Sequence, residues 1–357
     1  MLYSSDTFWQ RFRQHRPAQW AGAYLVFALF LAVFGYLLVP DGAPNANTQL
    51  PALSLTPPGT TATLLALKTE VDVHPVPWFH RLVNGAPLPY RPLPIVEGSF
   101  RVQGDSLLVM QLDNPSDTLR LPLSQLWKAD EPLRKRHFWL GADAFGRCIF
   151  SRLVLGYRVS LFVGVLAVSI ALTLGLLLGA LGGYFGGRTD AVVMLLVNTV
   201  WSIPTLLLVF AVVLALGRSV GVVFLAVGLT LWVDVARLVR GQVMALREQA
   251  FAEAAYNLGL PPWQIVWRHL LPNLMGPVLV VAAGSFATAI LLESGLSYLG
   301  FGVQPPAPSW GSLLNENYGL ALSGRWVAAL APAVAIAVTV WAFTVVGNGL
   351  RDALGGK

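Results

Sequence analysis

The residues of this chain best suited to chemistry are few, and their spacing builds no reaction centre. Four of the five histidines stand at His74, His80, His137 and His269. No two have the H-E-x-x-H spacing that sets a pair of imidazoles around zinc on one helix face. Surface or packing roles follow for all four. Cys148 is the single cysteine, so no internal disulfide forms. No G-x-x-x-x-G-K-[ST] loop occurs, so the chain has no visible cradle for a nucleotide's phosphates. Its Ser and Asp residues form no nucleophile constellation. One isolated acid, Asp234, interrupts the apolar stretch "LTLWVDVARLV". Three residues before Arg237, it can pair along one helix face and balance a helix end. An acid at membrane depth is also a functional candidate.

The setting of these residues is oily. The chain is 55% hydrophobic and 12% charged, with a mean hydropathy of +0.62; soluble domains carry about 25% charged residues. Six runs approach the roughly 20 residues that a helix needs to cross a bilayer. They lie near Ala21–Val39, Val159–Leu181, Ala191–Leu216, Val220–Val235, Gly276–Leu292 and Trp326–Gly347. The first has the length of a retained span, and no cleavage site follows it. Small residues crowd "LGLLLGALGGYFGG" and predict close helix packing. Pro204, inside the third run, predicts a kink. The net charge of +6 reads as basic cytoplasmic ends rather than a nucleic-acid surface.

Lys and Arg in short segments set orientation. With the N-terminus inside, the inner segments hold Arg11, Arg13, Arg16, Arg188, Arg237, Arg240, Arg247, Arg268, Arg351 and Lys357. The short outer loops hold Arg218 and Arg325. Arg147, Arg152 and Arg158 fall outside, at the end of a long connection, and long connections translocate largely regardless of charge. That connection, from Pro40 to about Leu140, begins proline-rich and then alternates, as in "FRVQGDSLLVMQL". Gly104-Asp105 suits a two-residue hairpin turn of type II′, and "DTLRLPLSQLW" adds a further strand. The fold class expected is an all-α polytopic membrane protein of six transmembrane helices with a small β-containing extracytoplasmic insertion between helices 1 and 2. Its parts are a tail and first helix (1–40), the outer module (41–140) and a five-helix core (141–357).

One stretch is out of keeping with that core. "EQAFAEAAYNLGLPPW" is charged, rich in alanine and free of Gly or Pro from Glu248 to Leu258, which favours a helix. Glu248 near its start suits the helix dipole, and Gly259 with Pro261-Pro262 marks its end. Trp263, Val266, Trp267, Leu270 and Leu271 then repeat at helical spacing. Two short helices meeting at a sharp turn are therefore expected between the fourth and fifth spans. Ala252, Ala254 and Ala255 make the first one thin enough to enter a groove on another protein. The same pattern also suits an amphipathic linker on the membrane surface.

"EAAYNLGLPPWQIVWRHLLPN" resembles the EAA loop of ABC-importer permeases, with Glu253, Ala254, Ala255, Gly259, Leu271 and Pro272 in the matching places. "LGADAFGRCIFSRLVLGYRVSL" is similar to the segment before the second span in the dipeptide/oligopeptide/nickel branch. Asp143, Gly146, Arg147, Ser151, Arg152, Gly156, Arg158 and Ser160 match, while Ala142 stands for Thr and Cys148 for Asp. "ESGLSYLGFGVQPPAPSWGSLL" resembles the loop after the fifth span, through Gly302, Pro305, Pro306, Trp310 and Gly311. "VVGNGLRDALGGK" resembles the C-terminal end. In that family Asp234 replaces a small or aromatic residue. The resemblance covers about residues 135–357 well, the first span loosely, and not 45–135.

The resemblance implies a permease subunit, of the second type, in a heterodimer with a homologous permease in the inner membrane, both termini cytoplasmic. It implies two ATP-binding subunits docked on the coupling loop (237–275) and an extracytoplasmic substrate-binding protein, with ATP used by the partners and no cofactor or metal on this chain. The 143–152 and 302–311 residues become candidates for a periplasmic or gate role. A self-sufficient secondary transporter would show inverted repeats and several intramembrane charges, and a membrane enzyme would show catalytic spacing in the outer module. Neither sign is present.

Overall fold

The computed structural model describes residues 12–69, 76–114, 118–128 and 130–354. Arg11, His74 and Lys357, named above, lie outside them. The chain divides into two compact units, one of Met1–Ala28, Ser160–Gln304 and Ala335–Lys357, the other of Leu29–Val159 and Pro305–Val334.

Among the described residues, five helices are long and apolar enough to cross a membrane. They are α1 (Arg16–Leu38), α3 (Ile149–Phe185), α6 (Val220–Arg247), the continuous run Pro262–Tyr298, and α10 (Val327–Leu354). Between α3 and α6 lie α4 (Gly187–Trp201) and α5 (Thr205–Leu216), bent by 89° where the sequence suggests one kinked span. Counted as one span, the pair brings the total to six. The break falls at Ser202–Pro204. Proline lacks an N–H and excludes helical backbone at the residue before it, so the ladder stops there.

Two expectations about the fifth run need correction. No separate short helix precedes it. The turn Pro262–Gln264 passes through a wider π-helical stretch, Ile265–Leu270, directly into α8 (Leu271–Tyr298). Leu271 N–H bonds to Val266 O, five residues back. This wide turn ends just before Pro272, whose missing N–H would leave the Arg268 carbonyl without its α-helical donor. Nor does the upstream helix begin near Glu248. Glu248 closes α6, Gln249 is extended, and the next helix, α7, spans Ala250–Asn257.

Within the first unit the small residues of α3 do what their spacing predicts. Gly175, Gly179 and Gly183 form a seam against α6. A Cβ on Gly179 would stand 2.6 Å from the Ala236 carbonyl oxygen and 2.9 Å from Val239 Cβ, and one on Gly183 would stand 2.7 Å from the Arg240 carbonyl oxygen. Backbones this close gain dispersion contacts that lipid cannot match. Asp190 of α4 and Arg240 of α6 add a forked ion pair, with Arg240 Nη2 2.6 Å from Asp190 Oδ2 and Nε on Oδ1. Ser219 caps α6, its Oγ accepting from Val222 N–H at 3.2 Å.

In the second unit, β1 (Thr60–Leu67) is the centre of a sheet ordered β2-β1-β6, with β2 Arg91–Ile95 and β6 Leu133–Phe138, antiparallel throughout. A second sheet joins β3 (Arg101–Gln103), β4 (Ser106–Met110) and β5 (Thr118–Pro122). Gln103 faces Ser106 across the Gly104-Asp105 turn, with Gly104 at φ +60°. Both expected features, the tight hairpin and the added strand, are present. Leu107 and Val109 of β4 alternate inward and share a core with Leu65, Ile95 and Leu126. A seven-residue helix, α2 (Trp78–Asn84), follows β1.

Gly179→Ala forces a methyl onto backbone across the α3–α6 seam, so it should cost about 1–3 kcal/mol as overpacking. Gly284→Ala, with open space around it, should be neutral or slightly stabilising. Thermal unfolding of the two variants in detergent checks the contrast.

Candidate functional site

α7 is divided by its own periodicity. Ala252 and Ala255, three apart on one face, are buried and pack in a core with Val239, Val243, Ile265 and Leu270. Two of the three alanines thus fit the helix closely to its own chain, while Ala254 faces out. The outward face carries Glu253, Ala254, Tyr256 and Asn257, with Leu258 beyond. Tyr256 is 69% and Leu258 80% exposed. Gly259, at φ +78°, reverses the chain. Its N–H bonds to Tyr256 O at 2.9 Å, and Leu260 N–H bonds to Ala255 O at 3.3 Å. These are the paired bonds of a Schellman motif, which demand a left-handed residue at this position. Leu271 is buried and Pro272 exposed, where α8 starts.

Beside α7 lies a cavity of about 440 Å³ lined by Tyr184, Arg247, Ala252, Glu253, Tyr256, Asn257 and Ile265. Arg247 donates to the Tyr184 carbonyl at 2.7 Å and so ties the end of α6 to the end of α3. The acid in the first turn of α7 is Glu253 rather than Glu248.

The 143–152 residues converge in the second unit. Asp143 is buried, and its Oδ1 accepts from the Phe145 and Arg147 backbone N–H groups at 2.9 and 3.0 Å. Its Oδ2 takes Arg147 Nε at 2.7 Å and Arg152 Nη1 at 3.3 Å. Both guanidiniums also reach Glu316, Arg147 Nη2 at 2.6 Å and Arg152 through Nη1 and Nη2. Two cations and two carboxylates are thus interlocked, with Arg152 fully buried. Burial pushes the Glu316 carboxyl up, but Arg152 and Arg147 outweigh it and hold the group below its ordinary range. Gly146 has φ +72°, and a side chain there would land on the Leu50 carbonyl. Ser151 Oγ accepts from Asp41 N–H at 3.2 Å. Cys148 is buried, and burial raises its thiol pKa, so the residue standing for Asp is a packed, unreactive group.

The 302–311 residues separate. Pro305-Pro306 is a cis bond, and Ser309 then opens α9 (Trp310–Leu322) with a reciprocal pair of bonds to Ser312. Trp310 is fully buried; its Nε1 donates to Leu153 O at 3.2 Å, and Tyr157 stands edge-on at 4.6 Å. Gly156 makes room, since a Cβ there would come within 2.6 Å of the indole. Gly311 is buried at the start of the same helix, which also presents Glu316. Gly302 belongs to the other unit, where a side chain would overlap Ser297 Oγ. Ser297 Oγ donates to Glu293 Oε1 at 2.7 Å and accepts from Val303 N–H at 3.0 Å. Ser160 Oγ reaches Glu293 Oε2 at 3.3 Å.

Glu293 and Glu316 escaped the sequence reading. Glu293 lies one residue past the apolar run, and its signal is the pair Ser294 and Ser297, one and four residues on, which can satisfy it within the helix. Glu316, in "LLNENYG", follows no spacing rule. The pairing of Asp234 with Arg237 is not made. Asp234 is exposed, while Arg237 is drawn across to Asn198 Oδ1 at 2.9 Å and stacks 4.0 Å over the Trp201 ring. His80 and His137 are exposed and His269 half-buried. Among the described residues, no three His, Cys, Asp or Glu side chains are placed to hold a metal ion.

Removing one member of the buried cluster leaves a cation short of a partner. Asp143→Asn should therefore destabilise the second unit by about 3–5 kcal/mol. The depressed Glu316 carboxyl contributes stability that is present above its unfolded value of about 4.3 and is lost as pH falls through its lower folded value. Glu316→Gln should flatten that acid-side loss. Thermal unfolding at several pH values below neutrality checks both.

Residues 171–357 match the family model described as the binding-protein-dependent transport system inner membrane component. Residues 5–58 match the N-terminal TM domain of oligopeptide transport permease C. The oligopeptide transport system permease protein OppC of Bacillus subtilis (strain 168) is 38% identical over 234 residues, 66% of this chain and 76% of that protein. The dipeptide transport system permease protein DppC of the same organism is 39% identical over 219 residues, 61% and 68% of the two chains. The glutathione transport system permease protein GsiD of Shigella flexneri serotype 5b (strain 8401) is 44% identical over 219 residues, 61% and 72%. A solved inward-facing MetNI methionine ABC transporter aligns at a TM-score of 0.46 and 21% identity, over 57% of this chain and 96% of that one. With 187 of its 357 residues inside the first model, and relatives matched over more than two thirds of their length, the chain belongs to the family of binding-protein-dependent transport system inner membrane components.

Proposed function

We propose that this multi-pass inner-membrane protein is a permease subunit of an ABC importer that passes peptides or similar small solutes, driven by ATP bound on partner subunits. Family membership supports the transport role, and the relatives named for oligopeptides, dipeptides and glutathione support the solute class. The observation that carries the coupling is the two-sided α7. Its inward alanines fix it to the chain, and its outward side offers Glu253, Tyr256 and Leu258 to something else. Large apolar groups left bare on a charged loop mark an interaction surface.

In this reading two ATP-binding subunits serve the importer, one gripping α7 in the cavity beside Glu253. Closure of the ATPase dimer pushes the helix, and the bundle moves as a rigid lever across a bistable interface with a homologous second permease. The solute path opens alternately to either side. Both termini are cytoplasmic, and the β-containing module faces an extracytoplasmic substrate-binding protein. This chain itself neither binds ATP nor carries a cofactor.

Tyr256→Ala and Leu258→Asp keep α7 folded, because both side chains are exposed. Each should weaken capture of the ATPase subunits by about 2 kcal/mol or more, roughly 30-fold, as removal of an interface anchor does. Uptake should fall in step, while membrane insertion is unchanged. Full co-purification and uptake from both variants would remove α7 as the docking element. For the outer module, photo-crosslinkers at Val102 and Met110, both exposed, should capture the binding protein from at least one position; an active transporter crosslinked at neither would exclude this module from the contact.

A further inference from the structure

Irregular backbone at bilayer depth has nowhere to hide. Hydrocarbon supplies no hydrogen bonds, so such backbone survives only inside protein or along water. The α4–α5 break lies within the apolar run 191–216 and is bent by 89°. Every residue from Trp201 to Leu207 is exposed on this chain. Ser202 and Ile203 turn their N–H groups back to Asn198 and Val200. Among the described residues, no other segment covers the break.

The same face carries polar groups among its exposed apolar ones, where lipid would require it to be wholly apolar. Asn198, Thr199, Ser202 and Thr205 are exposed along α4 and the break. Asp234 is exposed on α6, 14 residues from the start of that 28-residue helix. Arg237, one turn away, is half-exposed. It is held by Asn198 and by the Trp201 ring, itself 63% exposed, and its Nε–H is buried without a partner. A carboxylate on a lipid-facing surface at this depth is strongly disfavoured.

We propose that the break Ser202–Pro204, with Asn198, Trp201, Arg237 and Asp234, lines the aqueous path and contacts solutes carrying both an ammonium and a carboxylate group. Asp234 receives the ammonium. The guanidinium of Arg237, oriented by Asn198 and Trp201, receives the carboxylate. Trp201 adds a flat apolar surface to a mixed solute. The two charges sit one helical turn apart, about 4.5 Å along the axis, so small zwitterions can address both at once. This assignment rests on the transport reading and names the wall of its path.

The test uses the full chain reconstituted in proteoliposomes with its partners. Cys148 is buried and serves as the blank. Ser202→Cys and Asp234→Cys should react with a charged, membrane-impermeant thiol reagent on the order of 100-fold faster than Leu29→Cys, the factor that the membrane penalty on a charge implies. Leu29 is an exposed apolar residue of α1. Labelling of 202 and 234 no faster than 29 would overturn the wet face. For recognition, Asp234→Asn should lower uptake of a free dipeptide but not of its N-acetylated form, and Arg237→Gln should do the same for the free against the C-amidated form. An equal fall for both members of each pair would overturn the charge pairing. Labelling is read whatever ATPase subunits co-purify, so failure of the coupling reading and failure of this one are separate results.

Discussion

In this chain nearly every structural choice follows from one constraint: polar groups in an oily bundle must be satisfied by the protein itself. Helices meet that demand for the backbone. Glu293 shows how it is met for a side chain. A fully buried carboxylate in α8 is surrounded by the hydroxyls of Ser160, Ser294 and Ser297. Ser297 then reaches on to the Val303 N–H and shapes the loop beyond, which is why Gly302 has no room for a side chain. The four-residue cluster of Asp143, Arg147, Arg152 and Glu316 solves the same problem with charge. Each ion pays its desolvation only because two opposite partners surround it. A cluster of this kind is poor at adding stability over a hydrophobic core and good at fixing one arrangement of the segments that carry it.

The same constraint makes the proposed coupling element stiff. Gly175, Gly179 and Gly183 bring α3 and α6 into backbone contact, and Arg247 clamps the ends of these two helices together. α7 follows at once and is seated by Ala252 and Ala255 on Ile265 and Leu270. From there the π-helical turn runs into α8 without a joint. A push on Tyr256 or Leu258 would therefore pass through this packing, rather than through the short links at Gln249 and Gly259, to two long helices. A flexible loop in this place would absorb the motion that a lever has to transmit.

Much of this was legible beforehand, for identifiable reasons. Apolar length located the spans, and the small-residue spacing in "LGLLLGALGGYFGG" located the seam. Gly259 and Gly104 were legible because only glycine readily takes their positive φ. Legibility failed where a residue's role depended on partners distant in sequence. Alternation of alanines could not show which face of α7 turns inward, since that depends on Ile265 and Leu270. Asp234 and Arg237 stand at pairing distance in sequence, but Trp201 and Asn198, more than 30 residues away, compete for the guanidinium and win it. Glu316 is some 160 residues from the arginines it serves. The helix predicted from Glu248 began later because α6 ran on through Arg247, and no local signal stops a helix whose far half is soluble-looking.

The two proposed surfaces are places where the rule of matching polarity is inverted. On the loop after α6, where water is expected, Tyr256 and Leu258 are bare apolar groups. Along α4, its break and the middle of α6, where lipid is expected, Ser202, Asp234 and open backbone are bare polar ones. Each inversion is costly in isolation: the first exposes hydrocarbon to water, the second exposes charge to hydrocarbon. The proposed importer would relieve both with a single cause. An apolar protein groove over α7 removes the first cost, and a water-filled path beside α6 removes the second. The chain's own packing satisfies Glu293 and Asp143 so closely that the leftover mismatches are not careless folding. In the proposed reading they mark where a partner and a solute come.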